Sequence, residues 1–248
     1  MTTNNNNNNT SSNNNTAPTK TVTVTPLLAH DQSLMGEQFR KLRTVLKVHH
    51  LGNNLKSVLI TGLAPNEGKT TVALNLAASI ARGLDNSTIL VDADLRKKGL
   101  TSLLGLQETS GLSEVLIGEA KIKDTLVETE IKGLHIMPAG YNSSSPAELI
   151  ESDRMKELLR VLGTTGKFSY IVVDSPPLIA TSEALILSHM VDGVIFVVMA
   201  EKTRRDIVKR EMGSINQTKI LGVVLNGAKF ETSHYYHKYY RSYYGKEY

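Results

Sequence analysis

Thr61-Gly62-Leu63-Ala64-Pro65-Asn66-Glu67-Gly68-Lys69-Thr70-Thr71 is the stretch on which the fold of this chain turns. An apolar run at 57–60 leads into it, and a helix-like run at 72–82 leads out, with Gly83 placed to end the helix. Strand, glycine-bearing loop, Gly-Lys-Thr and helix is the layout of a phosphate-binding P-loop. The first amides of a helix have no acceptor inside it, and the helix dipole adds partial positive charge there. Gly68 lets the backbone approach a phosphate, Lys69 brings a full charge, and the Thr70 hydroxyl is a magnesium ligand type. In the G-x-x-x-x-G-K-[ST] spacing the first glycine belongs at Leu63, whereas this chain has Gly62, one place early. The plain alternative is a helix start after a turn, with no ligand.

The chain has 248 residues, 40% of them hydrophobic, enough for one medium α/β domain with a sizeable core. There is no cysteine, so disulfide scaffolds, thiolate metal sites and cysteine nucleophiles are excluded, and a reducing cytosol is compatible. No apolar run reaches the ~18 residues of a membrane span. The residues at 184–200 come nearest and are interrupted by His189 and Asp192. The N-terminus lacks the pattern of a secretory signal. A net charge of +4 is too mild to argue for nucleic acid.

Residues 1–25 are rich in Asn and Thr and are expected to form a disordered leader. At 33–49 the pattern is helical, with Phe39, Leu42 and Leu46 on one face and Glu37, Arg40 and Arg43 as a separate polar stripe. Taken alone, that stripe reads first as a solvated face with internal ion pairs and second as a surface that mates with another copy. An apolar run at 88–91 then ends in Asp92-Ala93-Asp94-Leu95-Arg96. Ligands in open α/β sheets sit beyond the carboxyl ends of strands, which places Asp92 and Asp94 near the phosphates, in different orientations. The competing reading is a turn and helix cap. Another run, at 170–173, ends in Asp174-Ser175-Pro176-Pro177, the place where P-loop proteins hold magnesium with an aspartate.

A strand at 134–137, a helix from Pro146 to about 162 with Ser145 as its cap, a strand at 192–199, a charged helix at 203–215 and a last strand at 220–225 complete the pattern. Asn226, after that strand, suits hydrogen bonding to an adenine edge or a plain turn equally well. Helices alternating with near-continuous Val/Ile/Leu runs predict a P-loop-type, doubly wound α/β fold. Its mainly parallel sheet has about six strands and helices on both faces.

The tail is unusual. Tyr235, Tyr236, Tyr239, Tyr240, Tyr243, Tyr244 and Tyr248 are seven of the nine tyrosines, mixed with His, Lys and Arg. An aromatic docking segment or an interfacial anchor is one reading. The other is a flexible, solvated phosphoryl acceptor. Its 18 residues after Phe230 reach at most ~60 Å at ~3.3–3.6 Å each, enough to enter a neighbouring subunit.

Together these motifs resemble one family, the bacterial tyrosine kinases of polysaccharide synthesis (BY-kinases), over about residues 26–248. The resemblance rests on Ala64-Pro65-Asn66-Glu67-Gly68-Lys69-Thr70, on D-x-D-x-R at Asp92, Asp94 and Arg96, and on D-x-x-P at Asp174 and Pro177. It rests also on E-x-x-R-x-x-R at Glu37, Arg40 and Arg43, and on the terminal tyrosine cluster. Asn66 stands where glycine is common and Glu183 where aspartate is common.

The resemblance implies an ATP- and Mg²⁺-dependent autokinase that phosphorylates its seven tail tyrosines between subunits of a ring, in the control of capsule or exopolysaccharide synthesis and export. Expected nucleotide contacts are Pro65, Asn66, Glu67, Gly68, Lys69, Thr70, Thr71 and Asn226. Thr70, Asp94 and Asp174 are expected to hold the metal. Lys69, Asp92 and Asp94 are expected to serve catalysis, with Asp92 accepting the phenol proton. Glu37, Arg40 and Arg43 are implied to mediate oligomerisation. A separate membrane activator (a polysaccharide co-polymerase), a tyrosine phosphatase and a cytoplasmic location at the inner membrane face are implied as well. The expected organisation is a leader at 1–25, a kinase domain at 26–230 and a tail at 231–248. Two rivals stand beside this: a positioning or partition ATPase, which carries an extra lysine where this chain has Ala64, and a non-catalytic ATP-sensing regulator.

Overall fold

The computed structural model describes residues 21–31, 33–83, 87–141 and 144–228. Its centre is an eight-stranded sheet in the order β1-β4-β5-β3-β6-β2-β7-β8. The strands are β1 (Thr21–Val22), β2 (Ser57–Gly62), β3 (Thr88–Asp92), β4 (Val127–Thr129), β5 (Leu134–Met137), β6 (Tyr170–Asp174), β7 (Gly193–Met199) and β8 (Ile220–Asn226). All neighbours run parallel except β4 and β5.

The apolar runs alternate between two cores because successive side chains of a strand point to opposite faces. Val58 and Ile60, Leu90, Val172, Ile195 and Val197 enter one core. Leu59, Ile89 and Val91, Ile171 and Val173, Val194 and Phe196 enter the other. The first core is covered by α1 (Leu34–Asn53), α2 (Lys69–Ala81) and α3 (Gly99–Leu103). The second is covered by α4 (Leu112–Ile117), α5 (Pro146–Glu151), α6 (Asp153–Thr164), α7 (Glu183–Met190) and α8 (Arg205–Met212). Each fully buried Leu, Ile, Val or Phe contributes about 1.5–3 kcal/mol against the entropy of ordering the chain. With apolar faces on both sides, the central strands have nowhere else to go.

Three details depart from the sequence reading. Among the described residues the sheet has eight strands, not six, because the short strands β1, at the edge, and β4, next to it, carry too little periodicity to announce themselves. Thr21–Val22 falls within the stretch expected to be a disordered leader, yet it pairs with β4, and Val24 is buried in the core. Glu130 fixes this segment by accepting from the amides of Val24 and Thr25. The helix expected from Pro146 to 162 is broken at Ser152, an extended residue whose hydroxyl accepts from Met155 N at 3.3 Å and caps α6. Ser145 precedes α5 but makes no side-chain cap.

Candidate active site

The loop between β2 and α2 is built around Glu67, which is 2% exposed. Its Oε2 accepts from Ala64 N at 2.9 Å and its Oε1 accepts from the Thr203 hydroxyl at 2.7 Å. This explains the early glycine. A Cβ on Gly62 would lie 2.6 Å from Glu67 Oε2 and 2.6 Å from the Val197 carbonyl. The glycine makes room for the carboxylate behind the loop. Gly68 is left-handed at φ 87°, and a Cβ there would sit 2.1 Å from Asn226 Nδ2. Asn66 is also left-handed, at φ 64°, a conformation that asparagine tolerates better than most residues with a side chain. Lys69, Thr70 and Thr71 form the first turn of α2, so their amides have no acceptor within the helix. The Lys69 ammonium donates to the Ala64 carbonyl at 2.7 Å. Burial pulls it below the usual lysine range, while the carboxylates of Glu67, Asp174 and Asp94 oppose that shift.

The acidic groups come from neighbouring strand ends. Asp92 and Asp174 are directly paired in the register of β3 and β6. Asp174 is 1% exposed, and among the described residues its Oδ1 has no hydrogen-bond partner. Burial, reinforced by Asp92, raises it well above the carboxylate range, against the pull of the Thr70 hydroxyl and the more distant Lys69 ammonium. Asp92 is fully buried, below the mouth where sequence reasoning put it. Its Oδ2 accepts from Thr101 N at 2.8 Å and from the Thr101 hydroxyl at 2.7 Å, and its Oδ1 takes a longer contact of 3.2 Å from Asp94 N. Burial raises it to about 6, against the Thr101 hydrogen bonds. Asp94 Oδ1 accepts from Lys97 N at 2.9 Å.

A buried carboxylate oxygen without a donor among the described residues, on a side chain beside the Thr70 hydroxyl, fits a divalent cation. Among the described residues no cluster of three or more acidic or histidine side chains is arranged to hold a metal unaided. A magnesium ion there would be held by Thr70, Asp94 and Asp174 together with waters and substrate phosphate, the mixed shell that this ion prefers.

The other expected site residues divide. Asn226 joins the loop, donating from Nδ2 to the Glu67 carbonyl at 2.9 Å. The Pro65 side chain has no described contact. Glu37 and Arg40 pair at 2.5 Å, and Arg43 donates to the Ser79 carbonyl of α2 at 2.6 Å. These are bonds within the chain. The seven tail tyrosines lie outside the described residues. Sequence reasoning missed three partners. Thr203 and Thr101 gave no local signal, because each meets its carboxylate only in the fold. Glu183, noted only as a substitution, is a buried acid that accepts from Arg96 Nε at 2.7 Å and so holds the arginine of the D-x-D-x-R motif. A hollow of about 680 Å³ at the opposite end of the sheet includes none of the expected site residues.

A loop of helix-start amides, a buried lysine and strand-end carboxylates on a parallel α/β sheet defines a P-loop nucleotide-binding protein. The family described as an AAA domain matches residues 66–217. The tyrosine-protein kinase YwqD of Bacillus subtilis is 32% identical over 204 residues, covering 82% of this chain and 85% of that protein. The tyrosine-protein kinase CpsD of Streptococcus pneumoniae is 34% identical over 187 residues, covering 74% and 81%. The kinase domain of the Escherichia coli tyrosine kinase ETK superposes with a TM-score of 0.74 at 30% identity, covering 80% of this chain and 78% of that one. The chain belongs to the bacterial tyrosine-protein kinases of polysaccharide synthesis. Among the described residues, no helix is long and apolar enough to cross a membrane.

Proposed function

We propose that this kinase uses MgATP to phosphorylate the tyrosines of its own C-terminal tail in trans, between copies assembled as a ring. The observation that carries the reading is the buried Asp174 Oδ1, without a donor among the described residues, on a side chain beside Thr70, with the Lys69 ammonium and Asp94 nearby. Lys69 leaves the Ala64 carbonyl to bind the β- and γ-phosphates, with the amides of 68–71 around them. The magnesium ion, when bound, neutralises charge on those phosphates. A tail phenol oxygen bonds to the γ-phosphorus as the bond to the β-bridging oxygen breaks, and ADP departs. The phenol proton passes over a water to Asp92, whose Oδ1 is the less engaged oxygen. Asn226 Oδ1 accepts from the adenine amino group.

The tail supplies seven acceptors, and each phosphate adds about −1.5 to −2 charges, so full modification turns a basic segment acidic and drives copies apart. Glu37 and Arg40 exchange their pairing within the chain for pairing across the ring. A separate membrane protein of the export machinery recruits the kinase to the inner face of the membrane and activates it, and a phosphatase resets the tail. The test is phosphotyrosine on purified protein given MgATP, mapped by mass spectrometry. Signal on Tyr235–Tyr248 that disappears in Lys69→Met supports the reading. Failure to label, even with the activator's cytoplasmic segment present, overturns it.

A further inference from the structure

Glu67 is an acid inside a loop that receives anions, and its carboxylate faces away from them. Oε2 is spent on Ala64 N and Oε1 on the Thr203 hydroxyl, with almost no solvent on either. Thr203 lies 136 residues away in sequence, in the turn after β7. That turn is itself fixed: Thr203 N donates to the Met199 carbonyl at 3.1 Å, and Met199 N donates to the Thr203 hydroxyl at 3.3 Å. The hydroxyl therefore has a rigid base at the end of a central strand and a single job beyond it.

We propose that Thr203 is a positioning residue for the phosphate loop, acting through Glu67. Without its hydroxyl, Glu67 Oε1 is a carboxylate oxygen buried without a donor, a state that costs more than the hydrogen bond was worth. The side chain then turns outward to find water, and outward is toward the phosphates. Two losses follow together. Ala64 N loses its acceptor, so the loop that presents the amides of 68–71 slackens. A negative charge also enters the site that must hold ATP. The inference rests on the reading of this loop as the nucleotide site. It adds that the turn after β7 sets nucleotide affinity without touching nucleotide.

The experiment compares MgADP binding by calorimetry and ATP kinetics across Thr203→Val, Thr203→Ser, Glu67→Ala and the Thr203→Val/Glu67→Ala double variant of the full chain. Removing a hydrogen bond to a charged group corresponds to about a tenfold weakening. Thr203→Val is expected to weaken MgADP and raise the KM for ATP by about that factor, with kcat within about twofold. Thr203→Ser is expected to restore both, and Thr203→Val is expected to add nothing in the Glu67→Ala background. Thr203→Ala serves as the second variant should valine strain the turn. A lowered melting temperature with wild-type affinity, a serine variant no better than valine, or losses that multiply in the double variant would each overturn the proposal. Wild-type protein that binds no MgADP would instead remove the nucleotide-site reading, and this inference with it.

Discussion

Two aspartates end up at opposite ends of the same sheet with opposite fates. Asp192, at the amino end of β7, gives one oxygen to three donors: Lys56 N at 2.9 Å, Ser57 N at 2.8 Å and the Ser57 hydroxyl at 2.8 Å. Asp174, at the carboxyl end of β6, is buried with an oxygen that has no donor among the described residues. The first is a clasp that ties β7 to β2 and needs nothing further. The second is destabilising until a cation or a proton arrives. Burial makes the carboxyl end a place of stored electrostatic demand, while at the amino end Asp192 already has its donors.

The sharpest way to break this contrast is to remove charge at the carboxyl end. Lys69→Met and Asp174→Asn are each expected to lower tyrosine phosphorylation by about 10²–10³-fold, the loss that removing one preorganised stabilising group from an active site typically brings, measured by phosphotyrosine blotting over time. Asp174→Asn is expected to raise the melting temperature of nucleotide-free protein by a few degrees, because it deletes an unanswered buried charge. A lower melting temperature would erase the distinction between the two ends. Next in size, Thr101→Val removes the hydroxyl donor to Asp92, leaving the Thr101 amide in place, and is expected to cost about 1–3 kcal/mol in urea unfolding.

The expected pH dependence has a definite sign. Asp92 is raised from 3.8 to about 6, so the folded state holds a proton that the unfolded chain releases. Its contribution to stability is complete below the unfolded value and lost as pH rises to about 6. Unfolding scans of nucleotide-free protein between pH 4 and 7 are expected to show that decline, and Asp92→Asn is expected to make it shallower, with Asp174, also raised by burial, keeping part of it. Smallest of all, Asp192→Asn is expected to cost about 1 kcal/mol of stability and leave phosphorylation within about twofold.

Much of this was legible in the chain. The Gly68-Lys69-Thr70 junction and the aspartates closing β3 and β6 announced the sheet and the end of it where Lys69, Thr70, Asp94 and Asp174 gather. What was not legible is contact across the sequence: Thr203 reaching Glu67, Thr101 under Asp92, Glu183 on Arg96. Each depends on strand order, which pattern alone does not give. The displaced glycine was visible as an anomaly, and its cause, room for Glu67, needed coordinates. Val22 and Val24 were hidden in a threonine-rich stretch whose composition argued against order.

Mixing two variants gives the most direct test of the central claim. Lys69→Met with its tail intact is combined with a chain truncated after Ala228, and MgATP is added. The account predicts phosphate on tyrosines 235–248 of the Lys69→Met chain, delivered by the truncated copy's intact site. An unlabelled Lys69→Met tail, under conditions in which wild-type protein labels itself, would contradict it.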